Sequence, residues 1–430
     1  MHVKLKLKTV RNVVVGLILV ALGFSGGWWG GQRELLKKGG VDLGLPKRVV
    51  NVNTPAEFQD VDFSLFWEAW GKMEQNFYDP GKLDAEEMVY GAIEGMVGSA
   101  GDPYSIFLPP SDNQRAEEDL SGSFEGVGIQ LGYRDGQLAV MAPLHGMPAE
   151  AAGVKAGDYI LRIKDESKGV DVDTQKMSLP HAVELIRGEH GQVVSLTLYR
   201  DNNGGQPFEV SMARDTIVVP TVEVTFWPAG GIVEGTKADE ASYPDGSVAQ
   251  LKLSRFGDKT EDEWNSAVSR ILGRGDLEGI VLDLRNNPGG YLNGAVFVAS
   301  EFLSEGLIVK QQGRIEAESF GVNRRGSLIG KPLSVLINGG SASAAEIVSG
   351  ALRDRLGVTL VGERSFGKGT VQNIISLPHG TSMHVTTSQW LLPEGDSIQE
   401  TGLTPDVVAT DSAETAVDEQ LQAAIKQVGK

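Results

Sequence analysis

The chain has 430 residues, and its 57 acidic and 39 basic side chains give a formal net charge of −18. This acidity argues against nucleic acid as the main partner, because proteins that bind nucleic acid normally present a basic surface. The absence of cysteine excludes disulfides, cysteine nucleophiles and cysteine-ligated metals, and the six histidines are too few to favour a histidine-rich metal site.

The first predicted element is an apolar segment at the N-terminus. Residues 12–32 carry no charged side chain and follow a basic flank, which comprises Lys4, Lys6, Lys8 and Arg11. This pattern is typical of a cleaved signal peptide or of a membrane anchor, and the lack of a clean small-x-small cleavage site favours the anchor. We expect residues 1–35 to form this segment, with the body of the protein outside the cytoplasm, in the periplasm or at the cell exterior of a bacterium.

A glycine-containing linker, residues 36–60, is expected to lead into a helical region over residues 61–118. Apolar and aromatic residues recur at steps of three and four from Phe63 to Phe77, which predicts one helix, and a second is predicted over residues 84–97. The aromatic stripe favours a core or a dimer contact over a ligand site, and it leaves open whether the chain is a homo-oligomer.

Two further folded regions and a tail are predicted from the pattern of short elements. Residues 119–213 combine several short strands with two helices, which indicates a compact module. Residues 214–410 alternate strands with helices and include a continuous apolar strand at 279–284, a pattern typical of a layered α/β core. The amphipathic residues within 411–430 predict a last helix.

Two glycine-rich corners follow predicted strands of this core, at residues 283–290 and 338–346. Open α/β sheets place their sites at the carboxyl ends of their strands. In the second corner, Ser341 or Ser343 would lie at a helix N-terminus, where free N–H groups and the helix dipole favour an oxyanion. Spacing alone does not choose between a nucleophile and a serine that only caps the helix.

A serine nucleophile needs a base, and Lys368 is the best candidate. The Gly380–Met383 segment resembles the serine motif of subtilisin-type proteases, but the matching aspartate and histidine motifs are absent. Lys368 lies in a Phe-Gly-Lys-Gly segment after the strand that follows the serine helix, and one βαβ step can bring it near Ser343. A lysine acts as a base only if desolvation lowers its pKa from near 10 toward 7, a free-energy change of about 4 kcal/mol. We expect the flanking glycines and Phe366 to pack closely around it, whereas the alternative is a solvated turn.

Six stretches together resemble the carboxyl-terminal processing, or tail-specific, serine proteases. They are GAIEGMVGSAGDPYSIFL (91–108), FEGVGIQL (124–131), DLRNNPGGY (283–291), GSASAAEIVSGAL (340–352), VGERSFGKGTVQ (361–372) and LPEGDSIQETGLTPD (392–406). The resemblance implies an α/β protease core of the layered βαβ, crotonase/Clp-protease-like type, with an inserted PDZ domain at 119–213 and an N-terminal helical unit. It also implies that no metal or cofactor is required.

The resemblance assigns roles to residues of the two corners. Ser343 matches the nucleophile, Lys368 the general base, and Gln372 a glutamine that orients the base. Ala344 and Gly289 match the amide donors of the oxyanion hole, and Gly290 is an alternative to Gly289. Ala345 stands where family members usually have serine, at a position that is not the nucleophile.

The PDZ resemblance implies a site that captures the C-terminus of a polypeptide by adding it as a strand and binding its carboxylate on loop amides. Gly126, Val127, Gly128 and Ile129 match that loop, and His181 is expected to border the groove or to cap the helix at the surface. The implied function is an endopeptidase that cleaves polypeptides near their C-termini. The alternative is a catalytically inactive, membrane-tethered PDZ scaffold that binds C-termini without cutting them.

Overall fold

The computed structural model describes residues 61–200, 206–230, 247–411 and 417–428. No helix within these ranges is both long and apolar enough to cross a bilayer. The predicted anchor at 1–35 and the linker at 36–60 lie outside the described residues.

The two helices predicted after the linker are confirmed. α1 spans Ser64–Asn76 and α2 spans Ala85–Gly98, with a short 3₁₀ turn at Pro80–Lys82 between them. The predicted aromatic stripe on α1 packs mainly against itself, because the rings of Phe66 and Trp67 lie 4.9 Å apart while α1 contains no buried residue.

After α2 come a short strand, β1 (Ile106–Leu108), and a helix, α3 (Pro110–Ser121). The sequence pattern gave no prediction for α3, because its residues are almost all polar and form no apolar stripe. Gly122 ends this helix in the left-handed conformation, with φ 63°.

The compact module predicted next is a sheet of six strands flanked by two short helices. Its strands run in the order β3-β4-β5-β7-β8, β6 pairs with β5, and β2 pairs with β9 beside this sheet. The bounds are β2 Ser123–Gly126, β3 Ile129–Arg134, β4 Gln137–Pro143, α4 Pro148–Ala151, β5 Tyr159–Asp165, β6 Val170–Asp173, α5 Leu179–Ile186, β7 Val193–Tyr199, β8 Phe208–Ala213 and β9 Asp215–Val218. The ion pair of Arg187 with Glu118, at 2.8 Å, joins this module to α3.

The layered α/β core is confirmed. Its sheet has the order β10-β11-β12-β15-β16-β19, in which β10 is antiparallel to β11 and the other neighbours are parallel. The strands are β10 Val222–Trp227, β11 Val248–Leu253, β12 Gly279–Asp283, β15 Leu333–Ile337, β16 Thr359–Gly362 and β19 Val407–Val408. The helices are α6 Thr260–Leu272, α7 Leu292–Ser300, α8 Ala344–Leu356 and α9 Glu419–Ile425.

Each face of this sheet buries apolar side chains, which explains why its central strands lack polar alternation. One face packs against α6, α7 and α8, with Trp264 and Leu352 fully buried among them. The opposite face packs against α9 through Leu421 and Ile425. The predicted C-terminal helix is therefore confirmed, although it is shorter than the amphipathic pattern.

A second sheet, absent from the sequence analysis, lies beside the core. Its strands have the order β1-β18-β13-β14, and β17 also pairs with β18. The bounds of the new strands are β13 Leu307–Gly313, β14 Ala317–Gly321, β17 Thr370–Ser376 and β18 Ser382–Leu391. The pairing of Ile106 in β1 with His384 in β18 brings the chain before the PDZ-like module to the core that follows it.

Candidate active site

Ser343 lies at the N-terminus of α8, directly after the loop that leaves β15. Its backbone has φ 53° and ψ −116°, a left-handed conformation that costs a non-glycine residue about 1–3 kcal/mol. The side chain is half-buried, and the next residue, Ala344, begins the helix. The partial positive charge of a helix N-terminus therefore lies beside the hydroxyl, as an oxyanion would require.

The structure distinguishes the two candidate serines. Ser341 is fully buried, and its hydroxyl donates to the Leu284 carbonyl at 2.7 Å while it accepts the amide of Asn338 at 2.9 Å. The bond to Leu284 ties the serine loop to the residue that follows β12, so Ser341 has a structural role. Ser343 is the serine of this corner with a partly accessible side chain.

Glu346, which the sequence analysis did not single out, joins the serine corner to the lysine loop. The glutamate is fully buried, and one carboxylate oxygen accepts the amides of Ser343 at 2.9 Å and Lys368 at 3.0 Å. The other oxygen accepts the Ser365 hydroxyl at 2.5 Å and the Gly367 amide at 2.7 Å. The structure therefore brings Ser343 and Lys368 together through one side chain. The signal was present in the sequence, as a glutamate three residues after a helix-capping serine.

Burial shifts the pKa of both charged groups at this junction. It lowers the pKa of Lys368, which favours the neutral amine that a base requires, and the nearby Asp102 carboxylate partly opposes this change. Burial also raises the pKa of Glu346, and the hydrogen bonds that it accepts only partly offset the effect.

Phe366 is 56% exposed, so the expectation that it packs over the lysine is wrong. The ring of Tyr104 lies there instead, with its centroid 5.2 Å from Lys368 Nζ.

The other glycine-rich corner lies against the serine. A Cβ atom on Gly289 would come within 2.8 Å of the Ser343 Cβ and 3.1 Å of the Ala344 nitrogen. Buried Asn287 organises this corner: its side chain donates to the Leu253 carbonyl at 2.8 Å and accepts the Gly289 amide at 2.9 Å. The Gly289 amide is thus engaged in this structure, so its predicted role as an oxyanion donor stays a prediction, with Gly290 as the alternative.

Replacing Gly289 with alanine is expected to lower kcat/KM by about 100-fold or more, the loss typical of a disturbed oxyanion site. The added Cβ would clash with Ser343, and its φ of 103° is unfavourable for any L side chain. Steady-state cleavage of a labelled peptide would measure the loss, with Gly395→Ala as the control, because Gly395 also has a left-handed φ, of 95°, but has open space around it. Equal losses in the two variants would contradict a specific role for Gly289.

Gln372 does not contact Lys368 through any hydrogen bond found in the described residues. Its side-chain nitrogen donates to the hydroxyls of Thr370 at 2.9 Å and Thr386 at 3.1 Å, on neighbouring strands β17 and β18. The predicted orientation of the base by Gln372 therefore remains a prediction.

The predicted carboxylate-binding loop lies between β2 and β3. The carbonyls of Val127 and Gly128 accept the amides of Ala149 and Leu144, both at 2.9 Å, and these bonds do not use the loop's own amide groups. Gly126 ends β2 and Ile129 begins β3. His181 lies on α5 and is exposed, with its ring nitrogen 3.5 Å from Glu184. No hydrogen bond found in the described residues uses the amide of Val127 or Gly128.

Comparison with known proteins identifies the two folded regions. Residues 247–409 match Peptidase family S41, and residues 140–200 match the PDZ domain. A carboxy-terminal processing protease of Bacillus subtilis, CtpA, is 33% identical over 81% of this chain and 69% of its own length. A carboxy-terminal-processing protease of Bartonella bacilliformis is 36% identical over 76% of this chain and 70% of its own length.

A solved structure supports the same fold. It is named as an S41 protease from Bacteroides fragilis and matches with a TM-score of 0.52 at 18% identity, over 87% of this chain and 98% of that one. Together with the two relatives, the S41 and PDZ matches establish that this chain belongs to the carboxy-terminal processing proteases, serine peptidases of family S41 that carry a PDZ domain.

Proposed function

We propose that this enzyme is an endopeptidase that cleaves polypeptides near their C-termini with a catalytic dyad of Ser343 and Lys368. The observation that carries the proposal is the carboxylate of Glu346, which binds the backbone amides of both residues. A nucleophile and a base on separate loops need such a shared anchor, because their mutual geometry decides the rate. Burial of Lys368, which lowers its pKa, supports its role as the base.

In this mechanism, neutral Lys368 accepts the proton of the Ser343 hydroxyl as its oxygen attacks the peptide carbonyl. The Ala344 amide and one amide of the Gly289–Gly290 turn bind the oxyanion. Protonated Lys368 then donates its proton to the leaving amine, and water hydrolyses the acyl-enzyme while lysine again acts as the base.

We further propose that the PDZ domain recognises the substrate's C-terminus through the loop 126–129. The amides of Val127 and Gly128, which donate no hydrogen bond found in the described residues, support this assignment. A peptide carboxylate would accept these amides, and the peptide would extend along β3 as an added strand.

The direct test compares a disordered polypeptide that ends in a free carboxylate with the same polypeptide ending in an amide. Mass spectrometry should show internal fragments from both, with the free acid cleaved about tenfold faster or more, because loss of a charged hydrogen-bonding partner costs roughly 1.5–3 kcal/mol. Equal rates would overturn PDZ recognition of the carboxylate.

The same peptide-cleavage assay tests whether Lys368 is the general base. Lys368→Met should lower kcat by about 10²–10⁴-fold, the range for loss of a general base. Exposed Lys331, changed to methionine, serves as the control and should leave the rate unchanged. A native rate in Lys368→Met would overturn the dyad, and a native chain that binds the peptide but never cuts it would favour the inactive scaffold.

We also propose that residues 1–35 anchor the enzyme to a bacterial membrane with its body outside the cytoplasm. The basic flank before the uncharged residues 12–32 supports this orientation. Full-length protein should stay in the membrane fraction after alkaline carbonate washing, and a chain beginning at residue 61 should not. Recovery of the full-length protein in the wash would contradict the anchor.

A further inference from the structure

The loop at residues 101–105 joins α2 to β1 and is held against β18. The Ser105 hydroxyl donates to Asp102 Oδ2 at 2.6 Å and accepts the backbone amide of Thr386 at 3.0 Å. The next residue, Ile106, pairs with His384 in the same strand. These bonds fix the loop at one place on the second sheet, although Ser105 and Thr386 are 281 positions apart in the chain.

This loop faces the side chain of Lys368. The ammonium lies over the face of the Tyr104 ring, 5.2 Å from its centroid, a geometry that attracts a cation. In the described part of the chain, Lys368 Nζ has no hydrogen-bond acceptor and no ion-pair partner, whereas the lysine amide is held by Glu346. The loop therefore contributes Tyr104 to the surroundings of the lysine side chain, whereas Glu346 holds the lysine backbone.

Among the described residues, charged or titratable groups approach the lysine from several of the elements packed around it. Asp102 and Tyr104 come from the loop, His384 from β18, and Glu346 from α8. Burial and the charge of Lys368 lower the pKa of His384, so this neighbour tends to be neutral. Glu346 directs its carboxylate to four hydrogen-bond donors, which include the amides of Gly367 and Lys368. Asp102 is thus the negative group of the loop that acts on the lysine charge, and its own pKa is lowered although burial opposes ionisation.

We infer that Asp102 and Tyr104 are positioning residues for Lys368, and that they set the pH above which the peptidase becomes active. The inference rests on the proposed function, in which Lys368 is the general base. Both residues lie outside the matched peptidase region 247–409, so a segment that precedes the PDZ domain completes the active site.

The direction of the effect follows from electrostatics. A negative charge and an aromatic face both stabilise the ammonium form, so both keep the lysine protonated to a higher pH. Activity requires the neutral amine, so it rises as the pH increases through the lysine's apparent pKa. Removing either influence should shift this rise to lower pH, whereas a purely structural defect would lower the rate equally at every pH.

The first test measures kcat/KM against pH for the full-length native enzyme and for Asp102→Asn. The midpoint of the acid limb should fall by about half a pH unit or more in the variant. Asp112→Asn is the matched control, because the Asp112 side chain is 47% accessible and pairs with Arg115, and its loss should leave the midpoint unchanged. An unchanged midpoint in Asp102→Asn, with or without a lower rate, would overturn the inference.

Two substitutions of Tyr104 provide a second test of the same inference. Tyr104→Leu should also lower the midpoint, and Tyr104→Phe, which keeps the ring face, should restore the native value. Equal midpoints of the acid limb in Tyr104→Leu and Tyr104→Phe would contradict the proposed role of the Tyr104 ring.

A third readout does not require catalysis. In the Ser343→Ala background, mass spectrometry can follow how fast Lys368 reacts with an amine-selective reagent at each pH. Adding Asp102→Asn should shift the onset of labelling to lower pH, and an unshifted onset would overturn the inference. If the onset shifts while Lys368→Met cleaves at the native rate, the electrostatic role stands and the proposed dyad fails.

Discussion

Replacing Ser343 with glycine is expected to abolish cleavage and to leave the enzyme more stable than Ser343→Ala. Loss of the proposed nucleophile should lower kcat by about 10⁴-fold or more in either variant. Glycine adopts the φ of 53° and ψ of −116° without steric strain, which alanine cannot do. After allowance for the greater freedom of glycine in the unfolded chain, we expect the glycine variant to be more stable by about 1 kcal/mol.

Urea unfolding of both variants measures this difference, and peptide cleavage measures the loss of activity. The control pair is Ser266→Gly and Ser266→Ala, at an exposed position inside α6. There the glycine variant should be the less stable of the two by about 1 kcal/mol, because glycine is unfavourable in a helix interior. Native activity in Ser343→Ala would refute the proposal that Ser343 is the nucleophile. A glycine variant less stable than the alanine variant would refute the backbone strain.

Glu346→Gln is expected to lower kcat by about 100-fold or more, because small displacements of reacting groups reduce rates this strongly. The glutamine amide replaces one acceptor oxygen, so either the amides of Ser343 and Lys368 or the Gly367 amide and the Ser365 hydroxyl would meet a donor instead. The free energy of unfolding should change by less than the activation free energy of cleavage. Burial raises the Glu346 pKa, and glutamine removes that unfavourable buried charge even as it breaks hydrogen bonds.

Steady-state kinetics and urea unfolding separate the two effects. Glu394→Gln is the matched control, since Glu394 is exposed in a loop of the same domain. A kcat within twofold of the native value in Glu346→Gln would refute the idea that this carboxylate aligns the dyad.

The helices and strands of the core could be predicted because their patterns are local. The first four residues of β12 are apolar and the whole strand is buried, and α6 places Trp264 and Val268 on one face. The second sheet could not be predicted in this way. β18 mixes buried, half-buried and exposed residues without regular alternation. It pairs with partners from distant parts of the sequence, as with Ile106, so no short window contains its signal.

The same distinction applies to the candidate site: local motifs predict some of its residues, and only tertiary contacts reveal the others. Motifs and the family resemblance were enough to select Ser343 and Lys368, but spacing could not exclude Ser341, whose role became clear only from its bond to Leu284. Phe366 was expected to cover the lysine because it is adjacent in sequence, and it is exposed. Tyr104 covers it instead, and no sequence pattern connected these two positions.

The sequence by itself determined the composition limits, the α/β pattern of the core, the glycine-rich corners and the family, since each depends on residue type and local spacing. The tertiary structure decided which serine stays accessible, which carboxylate joins the Ser343 and Lys368 loops, and which segment lies against Lys368. These features depend on contacts such as the bond from the Lys368 amide to Glu346. Such contacts form only when the strands pair and the sheets pack, because the free energy of burial and hydrogen bonding is shared among residues far apart in the chain.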